Sequence, residues 1–271
     1  MARMATGESS LARAVRLLDC FHSEESSLTV GELAARAKLP TPTASRLIAE
    51  LVRLGLLERT QEGRVRPGIR LWEIASRSSA TTALRAAAMP ILRAAHAAIG
   101  QHLHLAVLDG DEVLFIERLS APCAVINYSL IAGRLAPHTS SAGMILLAYA
   151  PDADRERVLA GPLPAVTRNT VTDPARLREV LATARSRGYV INDGHLHPDA
   201  AGVAVPVMDR AGRLVAALSA VLPSGSGAAA LPVLRRAAAA LGQAISSAPA
   251  HPGETEAPKK VSQLLKNRWG N

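Results

Sequence analysis

Apolar residues near the start of the chain recur at intervals of three and four positions, the spacing of amphipathic helices. The pattern predicts a helix over residues 11–21, a short helix over 33–37 and a longer one over 42–54. Two short stretches, 56–60 and 64–66, then flank a Gln-Glu-Gly turn and predict a β-hairpin. This order of helix, short helix, tight turn, longer helix and hairpin is typical of a winged helix-turn-helix.

Local signals set the expected ends of these helices. Thr29 and Glu32 form a predicted capping box, in which each side chain accepts a hydrogen bond from the backbone of the other residue. Thr41 is the expected N-cap of the third helix, with Pro42 at the first helical position, where a proline needs no N–H. Gly55 is expected to end that helix.

The hydrophobic period changes after about residue 100. Residues 69–100 have the pattern of helices, whereas the stretch from residue 101 onwards begins with strict alternation. One hairpin is predicted to turn at Asp109 and Gly110, and a second at residues 209–212. Helical segments with cap signals lie between the two hairpins. The second part of the chain is therefore predicted to be an α+β domain built on an antiparallel sheet.

Length and composition agree with two domains in a reducing compartment. The chain has 271 residues, 48% of them hydrophobic, and its 31 basic and 23 acidic residues give a net charge of +8. Cys20 and Cys123 lie far apart, which excludes a cysteine-rich zinc module and a disulfide framework. Residues 1–10 contain no apolar signal core and no apolar run could span a bilayer, so a cytoplasmic protein without a membrane partner is expected.

The polar face of the third predicted helix supplies the candidate DNA contacts. In a helix-turn-helix the first residues of this helix point at base edges in the major groove, and the guanidinium of Arg46 can bond guanine at two positions. Basic residues of the hairpin are placed for phosphates or the minor groove. A merely solvated helix face is the alternative, and the ordered helices, turn and basic hairpin disfavour it. The candidate DNA-binding residues are Thr41, Thr43, Ser45, Arg46, Arg53, Arg59, Arg64 and Arg66.

Other polar groups favour neither a metal site nor an enzyme. His102 with His104, and His195 with His197, have the spacing that places two imidazoles on one face of a strand. No cysteine lies nearby, and we interpret the first pair as the polar face of an edge hairpin and the second as loop residues. The serines and the histidine at 138–141 have neither the spacing of a catalytic triad nor a G-x-S-x-G motif.

Several motifs in collinear order resemble those of one regulator family. Residues 10–75 contain R-A-V-x-L-L, L-T-V-G-E-L-A and L-P-T-P-T-A-S-R-L. Residues 104–118 read H-L-A-V-L-D-G-D-E-V-L-F-I-E-R, and residues 138–148 read H-T-S-S-A-G-M-I-L-L-A. R-G-Y, A-x-P-V-x-D and L-V-A-A-L-S follow between residues 187 and 219. Together these motifs resemble the IclR-type transcription regulators, and each alone would be a weak signal.

The resemblance implies an α+β fold: a winged helix-turn-helix at 8–78, a linker helix at 79–100 and a GAF-like antiparallel-sheet effector domain at 101–247. The lack of periodicity after residue 247 predicts a flexible basic tail at 248–271. It implies a regulator that binds double-stranded operator DNA as a dimer or tetramer. A small-molecule effector, such as an organic acid, an aromatic compound or another metabolite, would control it. No cofactor is expected. An enzyme with a DNA-binding appendage and a nucleoid-like architectural protein are the alternatives.

The resemblance also implies where an effector would bind. The residues it assigns to the pocket are Ser141, Ala142, Asn192, Asp193, Gly202, Ser219 and Val221. The chain departs from the family pattern at three positions: Gly202 replaces a frequent cysteine, Val221 replaces a serine, and Met144 replaces a lysine or arginine. Fewer hydroxyls and one cation fewer predict an effector that is bulkier or less charged than glyoxylate.

Overall fold

The computed structural model describes residues 8–21, 27–77, 80–122, 124 and 133–247. The chain forms two compact units that divide between Ser79 and Ala80. The tail predicted at 248–271 lies outside the described residues. Within the described ranges, no helix combines the length and the apolar character that a membrane span requires.

The N-terminal unit has the order of elements predicted from the sequence. Its elements are α1 (Ser10–Leu18), α2 (Val30–Arg36), α3 (Thr41–Arg53), β1 (Leu57–Arg59), β2 (Val65–Pro67) and α4 (Ile69–Arg77). The helices α1, α2 and α3 share one core with the hairpin, in which Leu17, Leu33, Ile48, Leu57 and Val65 are buried. The predicted winged helix-turn-helix architecture is confirmed.

One helix start in this unit agrees with the sequence prediction and the other is shifted. The Thr29 N–H donates to Glu32 Oε2 at 2.7 Å and the Glu32 N–H donates to Thr29 Oγ1 at 3.1 Å, so the capping box is present. The N-cap predicted at Thr41 is wrong by one residue, because Pro40 is the N-cap and Thr41 is already helical. Pro42 still lies in the first turn, where backbone N–H groups have no partner within the helix.

The described strands of the second unit form one antiparallel sheet in the order β5-β4-β3-β8-β7-β6. The strands are β3 (His102–Asp109), β4 (Glu112–Leu119), β5 (Arg134–Leu135), β6 (Val190–Asp193), β7 (Ala200–Met208) and β8 (Leu214–Pro223). The helices are α5 (Ala80–Ile99), a 3-10 helix (Pro137–Thr139), α6 (Ser141–Tyr149), α7 (Asp152–Ala160), α8 (Pro174–Arg187) and α9 (Gly227–Ser247).

Helices cover both faces of the sheet. One core contains residues of α5 and α9 together with Leu103, Leu105 and Leu218 from the sheet. The opposite core contains residues of α6, α7 and α8 together with Phe115 and Ala217. Most of the segment predicted as a linker, 79–100, is α5, which packs as a layer of this second unit.

The interpretation of the first histidine pair as a polar edge is wrong. β3 lies inside the sheet, between β4 and β8, and only 5% of His102 and 1% of His104 are exposed. The alternation along β3 does place both histidines on one face, but helices cover that face as well. Burial, together with the charges at His102 and Arg118, lowers the pKa of His104 to about 3. His104 is therefore neutral at physiological pH and packs edge-on against Phe115.

Candidate functional site

The exposed face of α3 is the candidate DNA interface. Ala44, Ile48 and Leu51 are buried in the core of the N-terminal unit, so the positions between them point to solvent. Ser45 and Arg46 lie there, within the first turns of the helix, and both are exposed. This is the part of a recognition helix that reaches base edges.

The basic residues around α3 differ in whether they already have a partner. Arg46 forms no hydrogen bond or ion pair with any residue in the described parts of the chain, so its guanidinium can bond a base without first leaving another group. The guanidinium of Arg53 is bonded to the Glu50 carboxylate one turn earlier. Arg66 pairs with Glu58 across the β-hairpin.

Arg64, a predicted DNA contact, is bonded within the N-terminal unit. Its Nε donates to Ser27 Oγ at 3.0 Å and its Nη2 donates to the Ser27 carbonyl at 2.9 Å. The same Nη2 lies 3.2 Å from Glu32 Oε2. Arg64 thus ties the hairpin to the start of α2. Lys38, which is not among the candidate DNA contacts predicted from the sequence, is an exposed cation in the turn before α3, where its backbone φ is 51°.

A pocket lies on the α6 side of the sheet in the second unit. The pocket is partly open to solvent, and the space between its walls, including the solvent at its mouth, is about 480 Å³. Its lining, within the described chain, contains neither lysine nor arginine. The lining residues are Phe115, Thr139, Ser140, Ser141, Ala142, Asn192, His195, Leu196, His197, Ala200, Gly202, Ser219 and Val221.

Six of the seven residues assigned to the pocket from the sequence are among these, and Asp193 is not. Asp193 follows Asn192 on β6, and neighbouring residues of a strand point to opposite faces. Its carboxylate instead accepts hydrogen bonds from Ser224 Oγ at 2.6 Å and from the Gly225 N–H at 2.8 Å. Asp193 therefore holds the turn between β8 and α9.

The start of α6 forms one wall of the pocket. Ser140 caps the helix by accepting the Gly143 N–H at 3.1 Å. The backbone N–H groups of Ser141 and Ala142 belong to the first turn, where an α-helix provides no acceptor for them. Both residues line the pocket. Unpaired amides and the positive end of the helix dipole make this wall suited to a carboxylate.

Two glycines shape this wall by leaving no room for a side chain. A Cβ on Gly143 would lie 2.3 Å from the Pro137 carbonyl oxygen, so the 3-10 helix packs directly on α6. A Cβ on Gly202 would lie 2.8 Å from Ser141 Oγ, so β7 approaches the start of α6 closely. The cysteine that the resemblance leads us to expect at position 202 would therefore require the Ser141 side chain to move.

The loop at 194–199 is a part of the site that could not be predicted from the sequence. The pattern favours ordinary loop residues at His195 and His197 over a metal pair, yet both line the pocket. The described residues contain no group of three or more side chains able to hold a metal ion together. Phe115 was also missed, although the alternation along β4 could have placed it on the same face as Val113.

Two family models match the chain. Residues 10–61 match the IclR helix-turn-helix domain, and residues 77–247 match the bacterial transcriptional regulator IclR C-terminal domain. The chain belongs to the IclR family of transcription regulators. The helix-turn-helix of such a regulator is its DNA-binding part and the C-terminal domain is its effector-binding part, which agrees with the two sites described above.

Individual IclR proteins resemble the chain over most of its length. An IclR homolog from Microbacterium hydrocarbonoxydans, solved in complex with 4-hydroxybenzoate, is 43% identical, with a TM-score of 0.82, and the match covers 89% of this chain and all of the other. The regulator XynR of Escherichia coli is 30% identical over 78% of this chain and 84% of its own length. The transcriptional repressor IclR of the same species is 31% identical over 70% of this chain and 71% of its own. The two curated relatives are named as regulators, and an enzyme is not indicated.

Proposed function

We propose that this IclR-family protein binds operator DNA as a dimer or a dimer of dimers, and that an aromatic carboxylic acid in the effector pocket changes its affinity for the operator. The observation that supports the effector class is the composition of the pocket. The amides at the start of α6 offer hydrogen bonds to a carboxylate, and Phe115 and Val221 offer apolar surface to a ring.

One relative agrees with this effector class. The protein from Microbacterium hydrocarbonoxydans, which shares 43% of its residues with this chain, binds 4-hydroxybenzoate. The absence of lysine and arginine from the described lining also favours a ligand with a single negative charge.

Exposed apolar side chains of the N-terminal unit support self-association. Leu11 is 74% exposed, and Ile69 and Trp72 are each 66% exposed. Ile74 follows on the same helix, α4, and is also exposed. Ile69 and Trp72 are three positions apart on α4 and so share one face of the helix, and neighbouring exposed apolar side chains commonly mark protein interfaces. Pairing of two copies through such a surface would present two α3 helices to two half-sites of an operator.

The effector would act by linkage. A ligand changes DNA affinity only if it binds one arrangement of the paired protein more tightly than the other, and the size of the effect equals that difference. The pocket lies in the second unit and the DNA face in the first, so the two sites are distinct, as this mechanism requires.

The experiment that tests the proposed function is footprinting of the DNA upstream of the gene, with and without 4-hydroxybenzoate. We expect a protected region with two-fold symmetry whose half-sites are about one helical turn apart, and an occupancy that changes with the acid. Light scattering should give the mass of a dimer or tetramer. Protection without sequence preference would indicate an architectural DNA-binding protein, and chemical turnover of the acid would indicate an enzyme.

Replacing Arg59 and Arg66 together by alanine should weaken specific and random DNA alike. Both side chains are exposed on the hairpin, where they can reach phosphates without reading bases. The slope of log affinity against log salt should become shallower by about 0.9 for each phosphate that the variant no longer neutralises.

Arg64 is left intact because of its internal bonds. Arg176→Ala, which removes an exposed arginine from the second unit, is the matched control. An unchanged slope in the double variant would place the hairpin away from the DNA.

A further inference from the structure

The loop 194–199 is held in place as one wall of the pocket by hydroxyl groups from a neighbouring segment. Thr167 Oγ1 donates to the Gly194 carbonyl at 2.6 Å, and Thr170 Oγ1 donates to the His195 carbonyl at 2.8 Å. Thr170 is itself buried and accepts the backbone N–H of Thr167 at 2.9 Å. The backbone of His195 is therefore fixed, and its ring has a defined position in the pocket wall.

The ring of His195 has an unused hydrogen-bonding atom. Its Nδ1 is buried and has no hydrogen-bond partner among the described residues, although a buried polar atom normally has one. Burial lowers the pKa of His195, and the nearby Asp193 carboxylate opposes this shift. The neighbouring pocket residue His197 differs, because its Nδ1 accepts the Asp199 N–H at 3.2 Å.

The strand β7 relates the loop that carries His195 to the carboxylate-binding wall. The Gly194 N–H donates to the Ala200 carbonyl at 3.0 Å, which places Gly194, the residue before His195, next to Ala200. The start of α6 lies against Gly202, two residues further along the same strand. Two residues of a β-strand span about 7 Å. This spacing suits a six-membered ring that carries one polar group at each end.

We propose that His195 binds a hydroxyl group of the effector at the end of the ring opposite its carboxylate, and so selects hydroxylated aromatic acids over unsubstituted ones. The inference rests on the proposed function, because it assumes a carboxylate at the start of α6. A hydroxyl both donates and accepts hydrogen bonds, so it can satisfy Nδ1 in either tautomer of a neutral histidine. A carboxylate can only accept hydrogen bonds, and in the proposed binding mode the amides at the start of α6 already donate to it.

The test is calorimetric titration of the full-length protein with 4-hydroxybenzoate and with benzoate. The wild type should bind 4-hydroxybenzoate about tenfold more tightly, the size of one well-placed hydrogen bond. His195→Phe keeps a flat ring but removes the nitrogen, so the two affinities should become equal. His195→Gln retains a hydrogen-bonding group and should restore part of the preference. His197→Phe, in the same loop, should keep the tenfold ratio. Operator binding without ligand establishes that each variant is folded.

The outcomes separate this inference from the proposed function. Equal affinities of the wild type for the two acids, or an unchanged ratio in His195→Phe, would overturn the role of His195 while leaving an aromatic acid as the effector. Failure of the wild type to bind either acid would overturn the proposed effector class and this inference with it. A preference that disappears in both His195→Phe and His197→Phe would show that the loop as a whole, rather than Nδ1 of His195, sets the selectivity.

Discussion

Ser219→Leu is expected to abolish the response of operator binding to the effector while leaving operator binding itself intact. Ser219 is only 2% exposed and lines the pocket from the middle of β8. It pairs with His104 on β3 and with Ala204 on β7, so strands flank it on both sides. The added side-chain atoms of leucine can extend only into the pocket, where they would occupy the space of the ligand.

The measurement is operator binding of Ser219→Leu with and without 4-hydroxybenzoate. Ser219→Ala is the matched variant, because it removes the hydroxyl without adding volume. It should retain the response but lower the ligand affinity by about 0.5–1.5 kcal/mol, the usual size of one hydrogen bond. A normal response in Ser219→Leu would show that the effector binds elsewhere.

Arg46→Ala is expected to lower the affinity for the specific operator by about 1–3 kcal/mol, the value of one good contact between an arginine and a guanine. The residue is exposed on the second turn of α3 and has no partner within the described chain, so the decrease in affinity should come from DNA alone. The stability of the N-terminal unit should not change, because the exposed side chain is bonded to no other described residue of that unit.

Competition between operator and random DNA measures the effect. Arg53→Ala is the control on the same helix; because Arg53 is bonded to Glu50, its removal should cost less specific affinity. If Arg46→Ala weakened operator and random DNA equally, Arg46 would bind a phosphate rather than a base.

Local features of the sequence predicted local features of the structure. The capping box of Thr29 and Glu32 depends on residues three positions apart, and it forms as predicted. Alternation along β8 places Ser219 and Val221 on the same side of the sheet, and both line the pocket. The same rule separates Asn192, which faces the pocket, from Asp193, which does not. Period and spacing are therefore enough to assign a face to a residue.

Contacts between residues distant in the chain could not be predicted in this way. The alternation along β3 predicted that His102 and His104 lie on the same face of the sheet. It could not predict that helices cover this face and bury both side chains. Arg64 has the sequence context of a DNA contact, yet its partners Ser27 and Glu32 lie more than thirty residues earlier. The family resemblance predicted where the pocket lies. It did not predict that the loop 194–199 forms one wall, because the position of this loop depends on the pairing of β6 with β7.

The two sides of the pocket differ in how freely evolution or a designer can alter them. At the start of α6, Gly143 rests on Pro137 without space for a methyl group, so substitutions there would shift the helix that receives the acid. The opposite loop, 194–199, is attached through backbone carbonyls, which every residue type provides. Apart from Gly194, whose backbone φ of 72° and close contact with Asn169 favour glycine, its side chains can therefore be exchanged while its course is kept. A library of variants in this short loop should yield biosensors for differently substituted aromatic acids from one unchanged scaffold.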